Sequence, residues 1–326
     1  MQISQSDRTP KDDQNTALVA ISDIRKTSSF ATFNDTPLFD DAASYKITIA
    51  ANNDLADIYY PNLSNLKTGN DSLPIALLLP GAKVDKSNYS TYASLVARYG
   101  FVVVVPNHTR SIPQFRFEGL LPEPSQINAV LSQMKTENLD PTSPVCGVID
   151  MQKLGLLGHS AGGYTGLSAI ANVSLPFSCD DSFNRPAELL AGAFFGSFLQ
   201  NILTQEFVPI NNSGIPIALL HGDLDSINTI DKAKATYEKI HGPKSFITIC
   251  GANHYSITNI NNPPDSGPDR NIPTIAQDLA IETIARWSGL FLRAHVLNEK
   301  GAFNYLYSTD DAKDTNVTMT STDAQS

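Results

Sequence analysis

Two kinds of apolar pattern alternate along the chain. Short continuous runs occur at Ile75–Leu79 (IALLL), Phe101–Val105 (FVVVV), Leu154–Gly158 (LGLLG), Leu190–Gly196, Ile215–Leu220 (IPIALL) and Phe246–Cys250 (FITIC). Runs of this length without alternation fit strands covered on both faces of a parallel sheet. Between them lie stretches with helical spacing. Tyr89–Tyr99 places Tyr92, Leu95, Val96 and Tyr99 on one stripe, and Gly163–Ala171, Pro124–Lys135, Asp231–Ile240 and Thr274–Leu292 read as further helices. Tyr45–Ala50 and Ala56–Tyr60 come first and alternate with period two, which predicts half-exposed strands. Strands alternating with amphipathic helices predict an α/β, doubly wound, mostly parallel sheet.

The pattern thins at both ends. Residues 1–40 are polar and predict a loose arm, residues 41–307 a single catalytic domain, and the Asp/Thr-rich residues 308–326 a disordered tail. Asn107–Glu123 shows no regular period but carries Phe115, Phe117, Leu120 and Leu121, which suggests a pocket wall or lid. Asn259–Pro273 is rich in Pro and Asn and reads as a loop over the strand ends.

Composition narrows the field. The 326 residues are 41% hydrophobic and 17% charged, ordinary for a folded chain long enough to bury a sizeable core. A net charge of −10 without a basic patch argues against nucleic acid and anionic membranes. No apolar run reaches the ~20 residues of a spanning helix. The N-terminus has no apolar signal-like segment, so the default compartment is the cytoplasm, with secretion left open. Cys146, Cys179 and Cys250 fit no metal spacing, and neither metal nor cofactor is expected. Cys146 and Cys179 flank the strand and helix around residue 160 and could pair.

The chemistry concentrates at Gly158-His159-Ser160-Ala161-Gly162, a G-x-S-x-G between an apolar strand and a helix. A serine there sits on a tight, strained turn that projects its hydroxyl, and glycines are needed where strand and helix nearly touch. In an open parallel sheet, reacting groups follow the C-terminal ends of strands. His221-Gly222-Asp223-Leu224-Asp225 follows one strand and Gly251-Ala252-Asn253-His254 follows the last. Ser160, Asp225 and His254 then supply a nucleophile, an orienting carboxylate and an imidazole base, in the order this architecture uses. Asp223 competes with Asp225 but is expected to order the turn. His108 is the runner-up base, and His221 reads as a structural donor. The amides of Ala161 and of Ala82, after Pro80-Gly81, are the expected oxyanion donors. Phe115, Phe117, Leu120, His159 and Tyr255 are the expected substrate contacts.

Four stretches carry a resemblance: Asp57–Pro61, Leu79-Pro80-Gly81 with Tyr99–Val103, Gly158–Gly163, and Gly251–His254. Over roughly Tyr45 to Leu292 the chain resembles serine esterases of the α/β-hydrolase superfamily. It is similar to the group of platelet-activating-factor acetylhydrolases, cutinase-like polyester hydrolases and dienelactone-hydrolase-like proteins, with chlorophyll-ester hydrolases as distant relatives. The resemblance implies a G-x-x-D turn, matched at Gly222–Asp225, which favours Asp225. Polyester hydrolases carry an aromatic residue where this chain has Ala82, and dienelactone hydrolases a cysteine where it has Ser160.

The expected function is a lipase-like, metal-independent serine hydrolase. It cleaves a small-molecule or lipid-like carboxylic ester through an acyl-enzyme. An amidase or peptidase with the same triad, a chlorophyll-type ester hydrolase and a catalytically silent binding protein of the same fold are the alternatives. Oligomeric state is not readable from the sequence.

Overall fold

A computed structural model describes residues 33–63, 72–176, 183–307 and 314–323. Chain order is β1 (Ala42–Ile49), β2 (Asp54–Pro61), β3 (Leu73–Leu79), α1 (Ser90–Arg98), β4 (Val102–Pro106), β5 (Thr109–Ile112), β6 (Phe117–Leu120), α2 (Ser125–Leu139), β7 (Ile149–His159), α3 (Ala161–Ala171), β8 (Leu189–Phe195), β9 (Ile217–Gly222), α4 (Ile230–Tyr237), β10 (Lys244–Ile249), α5 (Gln277–His295), α6 (Lys300–Tyr307) and β11 (Val317–Thr322).

Among the described residues the main sheet has nine strands in the order β1-β2-β4-β3-β7-β8-β9-β10-β11. From β4 to β10 neighbouring strands pair in parallel. The antiparallel pairs lie at the margins, β1 with β2, β2 with β4, and β10 with β11. This is the mixed, mostly parallel sheet of an α/β-hydrolase-like fold.

The continuous apolar runs are covered on both faces, as both residue parities show. Ile75, Leu77 and Leu79 of β3, Val102 and Val104 of β4, and Leu154 and Leu156 of β7 share one buried cluster with Ile127 and Val130 of α2, Leu167 and Ile170 of α3, and Ala233 of α4. Residues one out of phase, among them Leu78, Val103 and Leu157, are equally buried but lie outside that cluster. Gly155 marks what covers their face: a Cβ there would come within 2.9 Å of Leu292 on α5. The helix α1 packs against α5. Alternation therefore disappears from the residue types while persisting in their destinations.

The strand order reverses between β3 and β7. The chain runs from β3 out to β4, then returns past β3 to β7. A crevice opens beyond the carboxyl ends of strands at such a switch point, because the two connections leave in opposite directions. Ala82 follows β3 and Ser160 follows β7, so both stand at that crevice.

Three expectations are corrected. The stretch from Asn107 to Glu123 is not irregular: β5 and β6 form an antiparallel hairpin, with Ile112 opposite Phe117 and Thr109 opposite Leu120. Its tip is Pro113–Phe115, closed by Arg116 in the left-handed region (φ 51°, ψ 38°). The 308–326 segment is not disordered throughout. Val317–Thr322 pairs with β10 from Ile249↔Val317 to Lys244↔Thr322, and Asp314 before it accepts hydrogen bonds from Arg286 (2.9 Å) and Trp287 (2.7 Å) of α5. Nor is the 1–40 segment loose to its end. The amide of Phe39 donates to the Arg98 carbonyl (3.0 Å) and Arg293 donates to the Thr36 carbonyl (3.1 Å). Most of the expected arm, residues 1–32, and Cys179, hence the Cys146–Cys179 pairing, lie outside the described residues. Among the described residues no helix is long and apolar enough to cross a membrane.

Candidate active site

The turn at Ser160 is strained, and the reason is steric. Ser160 lies at φ 53°, ψ −117° between the end of β7 and the start of α3. Such a conformation costs of order 1–3 kcal/mol in a non-glycine residue, so its surroundings must enforce it. They do so by close approach. A Cβ on Gly162 would lie 1.9 Å from the Leu79 carbonyl oxygen, and one on Gly163 2.0 Å from the Ser197 hydroxyl. Helix α3 therefore starts against β3 with no room for a side chain. The turn is pinned by the Ser160 amide donating to the Phe195 carbonyl (3.0 Å) and by Ser197 Oγ donating to the Ser160 carbonyl (2.7 Å).

Beside this turn stands a histidine–carboxylate pair. His254 Nδ1 donates to Asp225 Oδ2 at 2.7 Å, with both side chains buried. The other carboxylate oxygen accepts the amides of Ile227 (2.9 Å) and Asn228 (2.7 Å), which aims Oδ2 at the ring. With its Nδ1 proton directed at the carboxylate, the ring leaves Nε2 for another partner. Gly196, after β8, sits against the pair: a Cβ there would lie 3.2 Å from Asp225 Oδ2 and 3.3 Å from His254 Nδ1. The ring of His254 also packs at a 47° tilt against that of His159, the residue before Ser160, with centroids 4.7 Å apart.

The competing residues are engaged elsewhere. Asp223 accepts the Gly251 amide at 2.6 Å and so orders the turn between β10 and His254. His108 holds a carboxylate at each nitrogen, Asp54 at 2.9 Å and Glu123 at 3.4 Å. Burial alone would lower its pKa, but these two partners raise it to about 9. A histidine protonated at neutral pH, with both nitrogens occupied, is no base. His221 Nε2 donates to the Asn228 carbonyl at 2.7 Å and supports the loop that carries Asp225.

Ser160 lines a cavity of about 260 Å³ together with Ala82 and Ala161. The Ala161 amide is the first of α3, a position that has no intrahelical acceptor. The Ala82 amide likewise donates to no protein group among the described residues. The remaining walls are Phe117 and Leu121 from the hairpin, Tyr164 and Thr165 from the first turns of α3, Phe198 and Ile202 after β8, and Asn228.

Of the five expected substrate contacts, only Phe117 lines the cavity. Phe115 sits at the hairpin tip, 36% exposed. Leu120 faces a separate small cleft with His108 and Gln126. His159 is fully buried, and burial beside His254 holds its pKa well below the ordinary value. Tyr255 is buried with its ring edge-on to His254 (5.0 Å), and its hydroxyl donates to the Gly267 carbonyl. Neither His159 nor Tyr255 lines the cavity; both pack against His254. Phe198 and Ile202 were missed, although Phe198 lies directly after a strand and the strand-end rule could have found it. Tyr164 was legible as the residue one helical turn past Ser160.

The Asn259–Pro273 loop contributes nothing to the cavity lining. It holds the pair from behind through Asp269. That carboxylate accepts Ser226 Oγ (2.5 Å), the His254 amide (2.9 Å) and the Asn271 amide (2.9 Å). Burial would raise its pKa, but these bonds to the charged form lower it. Among the described residues no group of three or more His, Cys, Asp or Glu side chains is placed to share a metal ion.

No curated protein matches the chain significantly. Residues 45–179, which span β1 to just past α3 and include Ala82, Ser160 and Ala161, match the family model described as Chlorophyllase, a family of the α/β-hydrolase type.

Proposed function

We propose that this protein is a serine hydrolase that cleaves carboxylic esters through an acyl-enzyme. One observation carries the reading. A serine on an enforced strained turn lines an apolar cavity, and the ring of the preceding His159 lies 4.7 Å from that of His254, which is hydrogen-bonded to Asp225. In the first step the Ser160 hydroxyl passes its proton to His254 Nε2 while Oγ bonds to the ester carbonyl carbon. The carbonyl oxygen becomes an oxyanion, received by the Ala82 and Ala161 amides. Collapse of that intermediate breaks the bond to the alcohol, which leaves with the proton from His254. Water then repeats the sequence on the acyl-serine, releasing the acid. The Asp225 carboxylate holds the Nδ1 proton in place and stabilises the imidazolium. The aromatic and aliphatic walls take the apolar part of the substrate.

The match to the Chlorophyllase model favours one narrower reading within this chemistry, a chlorophyll-type ester as substrate. A panel of p-nitrophenyl esters of increasing acyl length, run beside chlorophyll and a p-nitroanilide, tests both. The reading predicts ester turnover in the panel, anilide turnover at least ~100-fold slower, and a loss of roughly three or more orders of magnitude in kcat in Ser160→Ala. Ester turnover that survives in Ser160→Ala overturns it. Release of the acid from chlorophyll at a rate comparable with the best p-nitrophenyl ester would select the narrower substrate, and no release would remove it.

A further inference from the structure

Three buried hydrogen bonds join four residues beneath the cavity. The Gly81 amide lies 2.8 Å from Tyr89 Oη, Tyr89 Oη 2.8 Å from His159 Nδ1, and His159 Nε2 2.9 Å from the His254 carbonyl oxygen. Tyr89 and His159 are completely buried and His254 nearly so. The two ends of the chain and a neutral His159 fix the protons in it. A backbone amide only donates, so Tyr89 Oη accepts from Gly81 and turns its own proton to His159 Nδ1. A carbonyl only accepts, so the His159 proton sits on Nε2. With His159 neutral, this arrangement satisfies all three bonds. Burial, reinforced by the neighbouring His254 ring, lowers the His159 pKa and keeps it in that form.

Each member lies on a different piece of the site. Gly81 precedes Ala82, which lines the cavity after β3. His159 precedes Ser160 on the elbow after β7. His254 is the base after β10. Tyr89 comes from the last turn of a short 3-10 helix, Lys86–Tyr89, that leads into α1. The contacts are tight enough to transmit position: a Cβ on Gly81 would come within 2.9 Å of His159 Nδ1 and 3.3 Å of Tyr89 Oη.

We infer that Tyr89 and His159 are positioning residues. They lock the oxyanion loop, the nucleophile turn and the base loop into one body, so that the Ala82 amide, Ser160 and His254 keep a common register. The inference rests on the reading of Ser160 and His254 as nucleophile and base. A neutral His159 beside His254 adds a second effect, since the imidazolium formed during turnover meets no like charge from the ring 4.7 Å away.

The test is kinetic, at a temperature well below the unfolding of every variant. Tyr89→Phe removes one buried oxygen and leaves the ring. It is expected to lower kcat on a soluble p-nitrophenyl ester by roughly 10–100-fold with KM changed less than about threefold, the scale of a misplacement of about 1 Å. His159→Leu, which meets neither partner, should fall at least as far. His159→Gln carries one donor and one acceptor on a planar amide and should run several-fold faster than His159→Leu. In the Tyr89→Phe, His159→Leu double variant the losses should not multiply, because one bridge is broken only once. A Tyr89→Phe enzyme with the kcat of the parent overturns the inference, as do losses that multiply or a His159→Gln enzyme no faster than His159→Leu. Should His159→Leu fail to fold, Tyr89→Phe and His159→Gln decide alone. Ser160→Ala measured alongside separates the two failures: turnover that persists there sinks the esterase reading itself, whereas its loss together with an unaffected Tyr89→Phe sinks only the bridge.

Discussion

At the scale of the residue, the site is built from exclusions. Gly162 has no room for a methyl group, with the Leu79 carbonyl where its Cβ would be. Gly162→Ala must push α3 away from β3 and relax the Ser160 turn. Its unfolding free energy should fall by about 4 kcal/mol or more, in the range kept for core overpacking and backbone strain, readable as a lower denaturant midpoint. A midpoint equal to that of the parent protein would show that the close approach is not real. Asp269 offers a second test. It holds Ser226, next to Asp225, and the His254 amide together. Asp269→Asn keeps one acceptor oxygen but loses the charge, so kcat should fall by roughly tenfold while Asp269→Ala, which loses both, falls further; equal rates in all three proteins would mean the loop is passive. The placement of Ser160, Asp225 and His254 just past strand ends was legible from the order of the apolar runs. Tyr89 and Asp269 were not. They act through partners 70 and 15 residues away, and neither a spacing nor a residue type announces such a pairing.

At the scale of the element, two segments behave differently from their composition. The hairpin β5–β6 lacks a clean period because it is a two-stranded ribbon outside the main sheet, with mostly polar residues in β5. What it brings is Phe117 and, just beyond it, Leu121, to one wall of the cavity. Phe117→Ala removes apolar contact worth ~1–2 kcal/mol, so kcat/KM should drop roughly 5–30-fold for long-acyl esters and much less for acetate esters. A uniform drop across the acyl series would place Phe117 away from the acyl chain. Strand β11 was hidden for another reason. Its V-T-M-T-S-T sequence is β-branched but polar, and it becomes a strand because β10 offers an open edge. The helices and central strands were legible by contrast, since burial on both faces leaves long apolar runs that few other arrangements produce.

At the scale of the whole molecule, half-buried histidines set how stability responds to pH. His108 binds its proton up to about pH 9 in the folded state, whereas the ordinary value is 6.5. Its contribution is fully present below pH 6.5 and is lost as pH rises through about 9. Glu123, held down to about 2 chiefly by the hydrogen bond with His108, contributes above its ordinary 4.5 and loses that contribution as pH falls through about 2. His295 has the opposite sign to His108. Burial lowers it from 6.5 to about 4, so stability drains away as pH falls from 6.5 towards 4. The melting temperature should therefore peak near pH 6.5 and fall on both sides. His108→Gln should flatten the alkaline limb between pH 6.5 and 9 and leave the limb between 6.5 and 4 in place. An alkaline limb of unchanged slope in that variant would contradict the assignment.

These three scales converge on one atom, the Ser160 hydroxyl oxygen, and one measurement addresses it most directly. Incubation with a fluorophosphonate followed by peptide mass spectrometry should find a single stoichiometric adduct on Ser160. Labelling should be lost in His254→Ala. An unlabelled Ser160 in folded protein, or an adduct elsewhere with Ser160 intact, would contradict the account at its centre.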